Sequence, residues 1–224
     1  MNEPIFETVL TTVNAAGTPH VAPMGVRYRA RADGRPGVVL MPFKPSTSLD
    51  NIVATGCAVL NIVTDTRVFA SCVTGRRDPA LLRLLPAQRI AGQRLVNALR
   101  HIELRLAEQL DDAQRPVLLM VEVHAVDHAP FIGLNRAQAA VIEGAVLVSR
   151  LHLLAPEKVA REMAYLQIAI DKTASANEHE AWRWLTHAVA LYGQAAGPAL
   201  PPSPPPPPSP PPPPSPPPPP PLDP

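Results

Sequence analysis

The chain has 224 residues, and 19 of its 31 prolines fall in the last 24 positions, so the folding part is about 200 residues, enough for one sizeable core or two small ones. Twenty basic against 19 acidic residues give a formal charge of +1, which leaves no electrostatic footprint for duplex nucleic acid or an anionic membrane. No apolar run approaches the roughly 20 residues of a membrane span, Met1-Asn2-Glu3-Pro4 lacks the regions of a secretion signal, and Cys57 and Cys72 are too few for a disulfide scaffold; a soluble, cytoplasmic protein is the expectation.

In chain order, Ile5 to Val13 reads as a β run turned by Asn14-Ala15-Ala16-Gly17. Pro19 to Arg31 is a second run, closed by Asp33-Gly34-Arg35-Pro36-Gly37. Val38 to Phe43 is short and wholly apolar, the pattern of a strand buried on both faces. Ser46 to Thr55 has a helix-start composition and stops at Gly56. Residues 57–63 and 66–72 form either a tight hairpin, with Cys57 facing Cys72, or a strand followed by a helix. Residues 79–98 are helix or loop. From 101 to 108 the pattern alternates, with Ile102, Leu104 and Leu106 on one face and Glu103, Arg105 and Glu108 polar. Asp111-Asp112 turns the chain, and Val117 to Val126 returns after Pro116. About six short strands with hairpin turns point to a small barrel.

After residue 130 the pattern becomes helical. Asn135 can cap a helix to about Arg150. Pro156 starts a second, with Val159, Met163, Leu166 and Ile170 on one face. Asn177 and Glu180 have capping-box spacing for a third, ended by Gly193. The fold class is therefore α+β: a barrel domain over 1–128, a three-helix domain over 129–193 and a proline-rich tail over 194–224. The helices must bury their apolar faces against the barrel or a second subunit. In the tail, Ser203, Ser209 and Ser215 separate runs of five or six prolines. Proline has no N–H and a fixed φ, so polyproline II is the expectation. A solvated extension is preferred there over a ligand for a proline-recognition domain.

Three stretches could carry chemistry. Met41-Pro-Phe-Lys-Pro-Ser-Thr-Ser-Leu-Asp-Asn51 places Lys44, Ser46, Thr47 and Ser48 at a helix N-terminus, where free N–H groups and the positive helix end favour a phosphate; an ordinary N-cap is the alternative. Pro19-His-Val-Ala-Pro-Met-Gly-Val26 puts Pro23 and Gly25 inside a strand, which weakens regular pairing and opens the backbone to close approach; the alternative is an edge strand with a bulge. Ala129-Pro-Phe-Ile-Gly-Leu-Asn-Arg136 sets Asn135 and Arg136 at a helix start, where Arg136 invites an anionic partner. His124 and His128 have metal-like spacing but lie at a strand end without a carboxylate or cysteine cluster, so no metal site is expected. Dinucleotide, P-loop and nucleophile-elbow motifs are absent.

Taken together, Ile5-Phe-Glu-Thr-Val9, Pro19 to Val26, Phe43 to Asn51, Thr74-Gly-Arg-Arg-Asp78, Phe131 to Glu143 and Ile168-Ala-Ile-Asp-Lys-Thr173 resemble an uncharacterised FMN-binding split β-barrel family of methanogens and methylotrophs. That family is distantly related to flavin reductases and pyridoxamine-phosphate oxidases. The resemblance implies FMN bound at a homodimer interface. On it, Lys44, Ser46, Thr47, Ser48 and Asn51 are phosphate-side candidates, while Phe43 and the Pro23-Met24-Gly25-Val26 backbone meet the ring. Asn135 and Arg136 would come from the helical domain, of the same or the second subunit. It also implies an oxidoreductase with a link to tetrahydromethanopterin-dependent one-carbon metabolism; a non-catalytic FMN carrier, sensor or assembly factor, or a phosphate-ligand module without flavin, are the competing readings.

Overall fold

The computed structural model describes residues 3–30 and 34–196. The expectations for Asp33 and for the proline tail lie outside these residues. Six strands close an antiparallel barrel in the order β1-β2-β3-β8-β7-β4: β1 (Phe6–Val13), β2 (Pro19–Ala30), β3 (Pro36–Leu40), β4 (Cys57–Ile62), β7 (Arg100–Leu110) and β8 (Val117–Asp127). Alternation drives the closure. Leu10, Val26, Leu40, Leu60, Leu104 and Leu118 are fully buried in one interior cluster, and full closure removes the exposed sheet edge. Helix α1 (Thr47–Thr55) adds Leu49 and Ile52 to that cluster. Ser46 caps it, its Oγ accepting from the N–H of Leu49 at 3.3 Å, and Gly56 ends it at φ 69°, a left-handed conformation that glycine adopts without a Cβ penalty.

The outer face of β1 and β2 carries a second core. Val9 and Val21 pack with Val68 and Phe69 of α2 (Arg67–Val73) and with α3 (Arg136–Ser149), α4 (Pro156–Thr173) and α5 (Ala176–Ala196). The helices thus bury their apolar faces within one chain. A Cβ on Gly144 would stand 2.8 Å from the Trp182 ring, so glycine lets α3 and α5 approach closely.

Several local expectations change. Strand β2 carries no bulge: its register with β1 is one-to-one from Phe6↔Val26 to Val13↔Pro19. Residues 66–72 are helical, which excludes the hairpin; the Cys57 sulfur points to the Ala91 carbonyl and that of Cys72 to the Val21 carbonyl. Residues 79–98 hold a two-stranded sheet of β5 (Leu84–Pro86) and β6 (Gln93–Leu95). Long-range clamps fix it. Asn61 accepts from the Leu95 N–H at 2.8 Å, and Glu103, fully buried beneath the hairpin, accepts from the N–H groups of Gln88 and Arg89 at 2.6 and 2.7 Å. The third C-terminal helix begins two residues earlier than its sequence suggests: Ser175 and Glu178 make the cap, Glu180 pairs with Arg67 instead, and the helix passes Gly193.

Candidate functional site

Strand β3 pairs with β2 only from Val26 to Ala30. Residues 19–25 of β2 therefore keep β1 as their one strand partner, and their other edge is open. Proline suits such an edge because its missing N–H breaks no ladder. At one end of it the Val21 carbonyl accepts from Arg77 Nη1 at 2.5 Å. A groove of about 450 Å³ runs along the rest. Pro42, Phe43, Pro45 and Ser46, between β3 and α1, with Ser48 in the first turn of α1, form one wall, and Val146 and Arg150, at the end of α3, form another. Gly25 is required here: its Cβ would stand 2.9 Å from Ile5 Cγ2 and 3.5 Å from the Glu7 carboxylate. The side chains that exploit this close approach thus come from β1 and from Ile5 just before it.

The groove is cationic. Arg27, Arg115 and Arg150 line it, with Glu7 as its one carboxylate, and none of the three has an ion-pair partner among the described residues. Arg115 lies 4.2 Å above the Phe43 ring and donates through Nη2 to the Met41 carbonyl at 3.3 Å, but its Nε is buried without a partner. An unmet buried donor costs about 1–3 kcal/mol, which an anionic acceptor would relieve. Ser46 accepts from a backbone N–H, leaving its own O–H free to donate, beside the positive end of α1. Burial, and secondarily the charge of Arg77, holds the His20 imidazole below its ordinary pKa; partial loss of water, then the like charge of Glu143, pushes the Glu7 carboxyl up, against a smaller opposing pull from Arg150.

Of the residues singled out by sequence, Pro23, Met24, Gly25, Phe43, Ser46 and Ser48 meet in this groove. The others do not line it. Val26 is buried inside the barrel. Lys44 donates its ammonium to the Asp112 carbonyl at 2.9 Å. Thr47 starts α1 outside the groove. Asn51 is buried and donates to Thr12 Oγ1 at 3.0 Å. Asn135 caps α3, accepting from the Ala137 N–H at 2.7 Å and donating to the Thr173 carbonyl. Arg136 is exposed in the first turn of α3, about 15 Å along the helix axis from Val146 at 1.5 Å per residue. The sequence reading missed Glu7, His20, Arg27, Arg115 and Arg150. None of these carries a local sequence signal for an anion site; Arg150 reads locally only as a cation at a helix C-terminus.

The sequence matches the model of the N-terminal domain of a protein family of unknown function, DUF447, over residues 6–129, and that of the family's second domain over 135–187. The chain belongs to the DUF447 family. Among solved structures, an FMN-bound DUF447 protein from Methanosarcina mazei is 21% identical, with a TM-score of 0.70 over 84% of this chain and 96% of that one; this likeness shows a shared fold. The 2-nitrobenzoate 2-nitroreductase of Pseudomonas fluorescens is 22% identical over 57% of this chain and 66% of that one, TM-score 0.48. Flavoredoxin from Methanosarcina acetivorans is 16% identical over 57% and 74%, TM-score 0.47. No curated protein matches the DUF447 chain. Among the described residues no helix is long and apolar enough to cross a membrane.

Proposed function

We propose that this DUF447 chain binds FMN in the groove and acts as a flavin-dependent oxidoreductase. The observation that carries the reading is that Arg115, whose Nε is buried without a partner, lines the same groove as Ser46 and Ser48 at the N-terminus of α1. These donors fit a phosphate dianion, as charge-assisted contacts. The open edge of β2 at Pro23 to Gly25, with the polarizable Met24 beside it, suits the face and polar rim of a ring. Arg27 and Arg150 add further positive charge to the groove. The FMN-bound relative supports the reading. Bound FMN supplies one- and two-electron transfer at its ring; the chain's task is to orient that ring and exclude water.

The reading extends to a homodimer, with the Phe131 to Leu134 loop at its contact: Ile132 and Leu134 are 93% and 97% exposed, an apolar surface that a two-fold association would cover. By family resemblance it also extends to a cytoplasmic role in tetrahydromethanopterin-dependent one-carbon metabolism. Titration of purified protein with FMN and riboflavin is the direct test. FMN should bind at least tenfold more tightly; equal affinity refutes the phosphate placement, and no binding of either refutes the flavin assignment. Anaerobic bleaching of bound FMN by NADH or NADPH, with turnover on an electron acceptor, supports the oxidoreductase; bound FMN that neither donor reduces points to a carrier. A monomer mass in light scattering at micromolar concentration refutes the dimer.

A further inference from the structure

Beside the groove, and sharing Glu7, Pro23 and Val146 with it, a second cavity of about 240 Å³ opens between α2 and α3. Its walls are apolar: Phe69 and Val73 come from α2, Ile142 and Ala145 from α3. Two side chains in its lining are polar. Ser149 already donates its hydroxyl to the Val146 carbonyl at 2.8 Å. Glu7 has no hydrogen-bond or ion-pair partner among the described residues, so a charged acceptor stands free at the junction of the two spaces.

Within the lining of the cleft the one charged side chain is Glu7. Glu143 is close enough to oppose ionisation of Glu7, and the last turn of α3, which borders the cleft, presents the negative helix pole. Arg27, Arg115 and Arg150 line the groove and not the cleft. An anion in the cleft would therefore meet the Glu7 carboxylate, with Glu143 near it, and a helix C-terminus. A cation or N–H donor would meet complementary charge, and an apolar body would fill the remaining space.

We propose that this cleft is a second ligand site, taking a small apolar molecule that carries an ammonium or N–H donor, with the Glu7 carboxylate as the group that reads it. If FMN fills the groove, this is the substrate pocket beside the flavin; that role rests on the FMN reading, whereas the binding itself does not. The arrangement also sets a pH dependence. Facing Glu7 are Glu143 and Arg150 from α3, His20 and Arg27 from β2, and Arg115 across the groove. Only ionised Glu7 attracts an ammonium, so affinity rises with pH through its titration and then levels off.

Calorimetric titration of the full chain, with and without FMN, uses benzylammonium, benzyl alcohol and benzoate as probes. Benzylammonium should bind at least tenfold more tightly than benzoate, with the pH dependence above. Glu7→Gln should abolish both the preference and the pH dependence while leaving the melting temperature within about 2 °C, as expected for a substitution on the wall of an open site. Glu143→Gln should keep the preference, and Val73→Trp, which fills the cleft, should weaken all three probes alike. Benzylammonium that fails to bind, or a preference that survives Glu7→Gln, overturns the proposal, including in the case where Val73→Trp does not fold. Benzylammonium binding to a chain that takes no FMN refutes the flavin reading alone; FMN binding without probe binding refutes this one alone.

Discussion

Replacing Arg115 by methionine should separate ligand affinity from stability. In the ligand-free chain the guanidinium contributes a cation–π contact to Phe43, worth about 0.5–1 kcal/mol, and one long hydrogen bond of 3.3 Å to the Met41 carbonyl, worth about 0.5 kcal/mol. Against these stands its unpartnered buried Nε, a cost of about 1–3 kcal/mol. Arg115→Met loses the first two and relieves the third, so the free protein should fall between about 0.5 kcal/mol less stable and about 2 kcal/mol more stable than wild type in urea unfolding. FMN affinity should fall by about 1.5–3 kcal/mol, the worth of a charge-assisted contact, or roughly ten- to 150-fold in Kd. Riboflavin affinity should hardly change. Lys44→Ala is the control, because that ammonium is bonded to Asp112 away from the groove; it should leave FMN affinity within about twofold. An equal loss for Lys44→Ala, an equal loss of riboflavin, or a ligand-free Arg115→Met chain weakened by more than about 2 kcal/mol would each refute the placement of the phosphate at Arg115.

Asn61→Leu should destabilise the fold by about 3 kcal/mol or more in chemical denaturation, since it removes bonds to Val9, Thr11 and Val59 and leaves the Leu95 N–H buried without an acceptor. Gly144→Ala should cost about 1–3 kcal/mol in the same assay, because its methyl would stand 2.8 Å from the Trp182 ring and 3.1 Å from Leu185. Acidification should weaken the chain in two stages. Burial outweighs the Glu103 carboxylate and holds His101 below its ordinary 6.5, so the unfolded chain takes up its proton more readily and stability declines as pH falls below about 6.5. Burial of Glu103 opposes its ionisation, but the N–H groups of Gln88 and Arg89, with His101, prevail and hold it below 4.5, adding a second decline below that pH. His101→Gln should flatten the first stage in a pH series of thermal melts; an unchanged profile would remove His101 as its source.

Where local pattern decides structure, the sequence was readable. The β run of β1, the alternation of β7 and the apolar return of β8, the Ser46 cap and the Gly56 stop of α1, and Pro156 at the start of α4 all announce their elements. The segment 79–98 did not, because its hairpin is held by Asn61 and Glu103, side chains of other strands. Glu103 itself looked solvent-facing from its polar position in β7, yet the hairpin covers it completely. The candidate groove divides the same way. Phe43, Ser46 and Ser48 are neighbours in sequence and were visible together, as were Pro23, Met24 and Gly25. Arg115 and Arg150 reach the groove from 70 and more residues away, and nothing next to them in sequence signals an anion site.

The two hydrophobic cores described above are separate clusters, and the groove draws on the elements of both. Phe43, Ser46 and Arg115 belong to the barrel side, Val146 and Arg150 to the helical side. A sub-global opening that lifts α3 to α5 from the barrel would dismantle half of the binding surface while the barrel's own ladder stays closed. Ligand bound across the seam therefore couples two cooperative units that could otherwise open independently. Its stabilisation should concentrate in the helices, as slowed amide exchange in α3 to α5, and leave the slowest barrel amides to report on global unfolding alone.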